Sequence, residues 1–126
     1  MKIGFTGTRA GMSQAQKLQL HVVLEGLAVD EFHHGAARGA DEQAAKIALT
    51  HVLYRESVIA HPTGPDPLVR NREIVAACDV LIAAPSEDKE QIRSGTWATV
   101  RYARAAMIPV VMLSRGGRGV TRGSQG

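Results

Sequence analysis

Asp79-Val80-Leu81-Ile82-Ala83-Ala84-Pro85 is the stretch that decides the fold. Its centre is apolar without alternation, a pattern that fits a strand covered on both faces, and the proline ends it because proline has no ladder donor. Strands of this kind belong to parallel sheets sandwiched between helices. Ile108-Pro109-Val110-Val111-Met112-Leu113 repeats the pattern. Shorter runs at residues 2–6, 31–34 and 57–60 read as three further strands.

Helical patterns fill the intervals. Ser13 and Gln16 have capping-box spacing, and Leu20, Val23, Leu24 and Leu27 behind them share one face. In a second helix, Ala44, Ile47, Ala48 and His51 share a face on which alanine permits close approach to the strands. Residues 61–67 hold three of the five prolines and read as a loop. A third helix is expected over residues 69–77 and a fourth from Ser94 to about residue 107. Strand and helix alternate throughout, so the expected fold is α/β: a Rossmann-like parallel sheet of about five strands, with right-handed crossovers and helices on both faces. The domain should occupy residues 1–114, followed by a flexible Gly/Arg-rich tail at 115–126.

Composition narrows the function classes. With 126 residues, 44% apolar and 21% charged, one hydrophobic core is expected. No stretch approaches the roughly 18 apolar residues of a membrane span, and the first residues lack the apolar core of a secretory signal, so a cytoplasmic protein without membrane partners is expected. The lone cysteine, Cys78, makes neither an internal disulfide nor a clustered zinc site. The net charge is +3, but Arg115, Arg118 and Arg122 account for all of it, so the body is neutral. His33 and His34 project to opposite faces of a strand, while His21 and His51 belong to separate helices; no metal and no cofactor is expected.

Open parallel sheets bind ligands beyond the carboxyl ends of their strands, and the unusual loops lie there. Gly7-Thr8-Arg9 follows the first strand. Gly35-Ala36-Ala37-Arg38-Gly39-Ala40-Asp41 leads directly into the second helix, so that backbone amides and the helix dipole can face an anion. Asp41 is either a dipole partner at that helix start or a candidate acid. Arg70-Asn71-Arg72 offers two guanidinium groups, one for phosphate and the other for pairing with Glu73 or Asp79. Ser94-Gly95-Thr96 opens the fourth helix, with Ser94 a candidate N-cap and Gly95 leaving room for a ligand oxygen. Further along that helix, Trp97, Arg101 and Arg104 form a stripe on which the ring can stack under a guanidinium, serve as a base-stacking platform or cover a subunit contact, with core or interface packing the commoner fate of a lone tryptophan.

Three segments, HHGAARGADEQAA, VRNREIVAACDVLIAAP and SGTWATVRYARAAMIPVVM, resemble the SLOG superfamily. It unites the DNA-processing protein A family (Smf/DprA), the lonely-guy (LOG) phosphoribohydrolases and short stand-alone nucleotide-binding proteins, and the likeness is greatest to the last. The resemblance implies nucleotide or nucleic-acid binding at the loops above, commonly by a homodimer. LOG enzymes carry a proline, two glycines, Gly-Thr and then a catalytic glutamate. Here Gly95-Thr96 match, Pro85 precedes the insert SEDKEQIR, and Thr99 stands at the glutamate position. Arg70 resembles the LOG arginine, and Asn71 stands where those enzymes have lysine.

The expected function is binding of the phosphate or phosphoribosyl part of a nucleotide by Gly7, Thr8, Arg9, Gly35, Ala36, Arg38, Gly39, Asp41, Arg70, Arg72, Pro85, Ser94, Gly95 and Thr96. Two rivals stand beside it. One is LOG-like hydrolysis of an N-ribosidic bond, with Arg70, Glu73 or Asp41 as candidate catalytic groups. The other is DprA-like binding of single-stranded nucleic acid by Arg70, Arg72 and the arginine tail.

Overall fold

The computed structural model describes residues 1–62, 64–116 and 120–122. The elements follow in the order β1 (Lys2–Gly7), α1 (Gln14–Gly26), β2 (Glu31–His34), α2 (Ala40–Ala48), β3 (Val58–Ala60), α3 (Pro67–Ala77), β4 (Val80–Ala84), α4 (Gly95–Ala105), β5 (Val110–Leu113) and β6 (Val120–Arg122). Their order across the sheet is β3-β2-β1-β4-β5-β6. The first five strands are parallel.

Two expectations at the ends of elements are corrected. Pro67 is the first residue of α3 rather than part of the preceding loop, because Asp66 caps that helix by accepting from the Leu68 amide at 2.9 Å, and a first-turn proline gives up no intrahelical bond. The stretch expected to be a flexible tail contributes β6, which pairs antiparallel with β5. Its start is also tied to the body, since the Arg115 side chain donates to the Gly11 carbonyl at 2.8 Å. Residues 117–119 and 123–126, including Arg118, lie outside the described residues.

Each face of the sheet has its own core, as the alternation of strand side chains requires. Ile3, Phe5, Val80, Ile82 and Ala84 pack against Leu20 and Leu24 of α1 and the alanines of α2. On the opposite face, Leu81, Ala83 and Val110 pack against Ile74 and Val75 of α3 and Trp97, Val100 and Ala103 of α4. A Cβ on Gly4 would lie 2.8 Å from Cys78 Sγ, so glycine lets the end of α3 sit against β1. Trp97 is therefore a core residue, only 5% exposed. No helix among the described residues is long and apolar enough to cross a membrane.

Strand order reverses between β1 and β4. From these neighbours the chain departs to opposite faces, to α1 after β1 and to α4 after β4, which opens a crevice between the two connections.

Candidate anion-binding crevice

The crevice has a volume of about 260 Å³. Gly7, Thr8 and Arg9 line it from the end of β1, Asp41 from α2, Arg70 from α3, and Ser94, Gly95 and Thr96 from the start of α4. Four segments far apart in the chain thus meet at one edge of the sheet.

The α4 edge is built by its cap. Ser94 Oγ accepts from the Trp97 amide at 3.2 Å and the Ser94 carbonyl accepts from the Ala98 amide at 2.9 Å. The Gly95 and Thr96 amides are then the donors that the helix cannot satisfy internally. No atom lies within 4 Å of where a Gly95 Cβ would stand, so this helix end is open to a ligand. The neighbouring β1 loop is fixed by its backbone: the Thr8 amide donates to Ala84 O, and Thr8 O accepts from the Ala40 amide, both at 3.0 Å. Gly39 supports this loop from behind. Its φ is +80°, and a Cβ there would lie 2.2 Å from Arg9 O, which excludes side chains on both counts.

Arg70 and Asp41 meet around Gly35. Arg70 is 8% exposed and donates through Nη1 to Gly35 O and through Nε to Asn71 Oδ1. Asp41 is 4% exposed and accepts from the Gly35 amide at 2.8 Å. A Cβ on Gly35 would stand 2.2 Å from Arg70 Nη1 and 2.9 Å from Asp41 Oδ2. Burial raises the Asp41 carboxyl above its ordinary range, against the opposing pull of the Gly35 and Ala37 amides and of Arg70. Its first role is therefore to hold the loop, and it is the only carboxylate among the described residues lining the crevice.

The remaining candidates divide by position. Gly35 and Gly39 stand behind the lining residues. Ala36 sits in the left-handed region at φ +56°, and both it and Arg38 are exposed without lining the crevice. Pro85 lies outside the lining, and its carbonyl accepts from Gln16 Nε2 at 2.9 Å. Arg72 is turned away: four positions along the chain from Leu68, it reaches the Tyr102 ring, 5.4 Å from the centroid, and pairs with neither Glu73 nor Asp79. Glu73 is outside the crevice, 3.9 Å from His61 Nδ1. Phe5, Thr6, Ala37, Pro67, Asn71 and Ile74 also line the crevice, beyond the residues expected there from the sequence. Pro67 and Ile74, three positions before and four after Arg70, were recoverable from helical spacing, whereas Asn71, one position on, and Thr6 carried no such signal.

The histidines brace the region. His33 Nδ1 and His61 Nε2 are 2.7 Å apart, His33 Nε2 is 2.8 Å from Glu31 Oε1, and the His61 amide donates to His34 O at 2.7 Å. These bonds fasten the connection into α3 onto β2. Burial lowers the proton affinity of both His34 and His61, and their imidazole neighbours lower it further.

Fold and crevice together define a Rossmann-like α/β domain whose ligand edge offers amide and guanidinium donors. That fold is shared with DNA-processing protein A. The X-ray structure of DNA processing protein A (DprA) from Streptococcus pneumoniae superposes with a TM-score of 0.64 at 23% identity, covering 88% of this chain and 49% of that one. DNA processing protein A from Helicobacter pylori, described for its single-stranded DNA binding mode, superposes with a TM-score of 0.65 at 20% identity, covering 89% of this chain and 64% of that one. The chain thus spans about half to under two thirds of these proteins. No protein-family model matches it, and neither does any curated protein.

Proposed function

We propose that the crevice binds a nucleotide unit through its phosphate and that single-stranded DNA carries that unit. The observation supporting this most directly is that Arg9 and Arg70 line the same cavity as the open α4 helix end. Helix N-termini and arginine both suit phosphate oxygens, and neither donor set reads sequence. The fold likeness to a protein described for its single-stranded DNA binding supports DNA as the carrier.

Binding of a free nucleotide is the second reading. It is favoured by a cavity of about 260 Å³ and by a body whose charges balance, which limits the long-range pull on a polyanion. Hydrolysis of an N-ribosidic bond has less support. Thr99, at the position of the LOG glutamate, is 2% exposed and donates its hydroxyl to Gly95 O at 2.9 Å. A homodimer belongs to the same proposal, and the mass in solution tests it.

Fluorescence anisotropy with a labelled oligothymidylate, beside calorimetry with nucleoside monophosphates, distinguishes the two ligands. We expect oligonucleotide binding that weakens as salt rises and weakens about fivefold or more in Arg9→Ala, as for a charge-assisted phosphate contact. Binding of monophosphates but not of the oligonucleotide would favour the second reading. Absence of binding below about 1 mM for both would overturn the proposal.

A further inference from the structure

A second cavity, of about 210 Å³, lies between α3 and α4 on the side away from the sheet. Leu68, Asn71 and Arg72 form one wall, and Ala98, Thr99 and Tyr102 form the other. Asn71 also lines the crevice described above, so the two cavities adjoin at that residue. The groove is chemically unlike the crevice. Its surface is mainly apolar, Leu68 is 50% exposed and Tyr102 is 39% exposed. Over the tyrosine ring stands the Arg72 guanidinium, 5.4 Å from the centroid.

We infer that this groove is a base subsite: it takes a nucleobase of the strand whose phosphate sits in the adjoining crevice, stacked on the Arg72–Tyr102 pair. The inference rests on the phosphate reading above. An aromatic ring with a guanidinium across its face offers stacking to any base, because every base has a π-face, while the phosphates are held elsewhere. A base also explains why an apolar, partly exposed groove should adjoin a polar crevice: a nucleotide is itself polar at one end and flat and apolar at the other. Recognition by stacking gives affinity with little sequence preference.

The test compares oligothymidylate with an abasic strand of the same length, which keeps the phosphates and loses the bases. The wild-type chain should bind oligothymidylate about tenfold or more tightly than the abasic strand. Tyr102→Ala should abolish that difference without changing abasic affinity, and Tyr102→Phe, which keeps the ring, should restore it. Ala98→Leu, which fills the groove without altering charge, should act like Tyr102→Ala and stands in for it if truncating the tyrosine prevents folding. Equal wild-type affinity for the two strands would overturn the base subsite and leave the phosphate reading intact. A Tyr102→Ala chain that keeps the preference, or that loses affinity for both strands alike, would also overturn it. Wild-type failure to bind either strand would remove both readings.

Discussion

Gly35 shows how narrowly the site is specified at single positions. Its missing Cβ leaves room for Arg70 Nη1 and Asp41 Oδ2, while its own carbonyl and amide bond to those same two side chains. Gly35→Ala should therefore expel the Arg70 guanidinium, weakening phosphate binding by about tenfold and stability by about 1–3 kcal/mol through the lost buried hydrogen bonds, measured by calorimetry and urea unfolding. The identities of Gly35, Arg70 and Asp41 were legible as candidates, but not their contacts with one another. Asp41 and Arg70 are 29 positions apart in sequence, and only the sheet brings them together. Arg72 misled for a related reason: it differs from Arg70 by two helix positions, about 200° around the axis, so only one of the pair can face the crevice. Cys78 gives a separate check. Burial, reinforced by Asp79, pushes its thiol up to about 11, so alkylation near pH 8 should be slow in the folded protein and fast once urea unfolds it.

Among the elements, those with local signals were the legible ones. The α1 capping box is present in both halves, with the Gln16 amide donating to Ser13 Oγ at 3.1 Å and the Ser13 amide donating to Gln16 Oε1 at 3.0 Å. Ser94 caps α4 as its position before Gly95 implied. Ser94→Ala should destabilise the protein by about 1 kcal/mol in urea titration and loosen the end of α4, raising the dissociation constant for oligothymidylate by several-fold. β6 was not legible, because a glycine- and arginine-rich stretch has no apolar period; its pairing is made of backbone bonds to β5, to which side-chain patterns are blind. The entry into α3 was missed for a similar reason. Pro67 reads as a breaker until Asp66 is seen to cap the helix ahead of it.

For the whole molecule, topology makes the site. The reversal of strand order between β1 and β4 gathers loops from four parts of the chain, and the continuous apolar runs had already implied the parallel sheet that requires such an edge. The histidine brace beside it makes stability depend on pH. His34 and His61 have lowered proton affinity in the folded chain, so the unfolded chain binds more protons as pH falls through their ordinary value of 6.5. Stability should be fully present above that value and decline on acidification towards the lowered folded values. Thermal melts between pH 7.5 and 5 should show this decline, and His61→Gln should flatten it. The most direct test of the proposed anion-binding crevice is oligothymidylate affinity in Gly95→Asp. The new side chain has open space around its Cβ and sits at a helix start that favours an acid, so the fold should keep its unfolding midpoint. Its carboxylate occupies the place assigned to phosphate, and affinity should fall tenfold or more. A stably folded Gly95→Asp chain that binds oligothymidylate as tightly as the wild type would contradict the account.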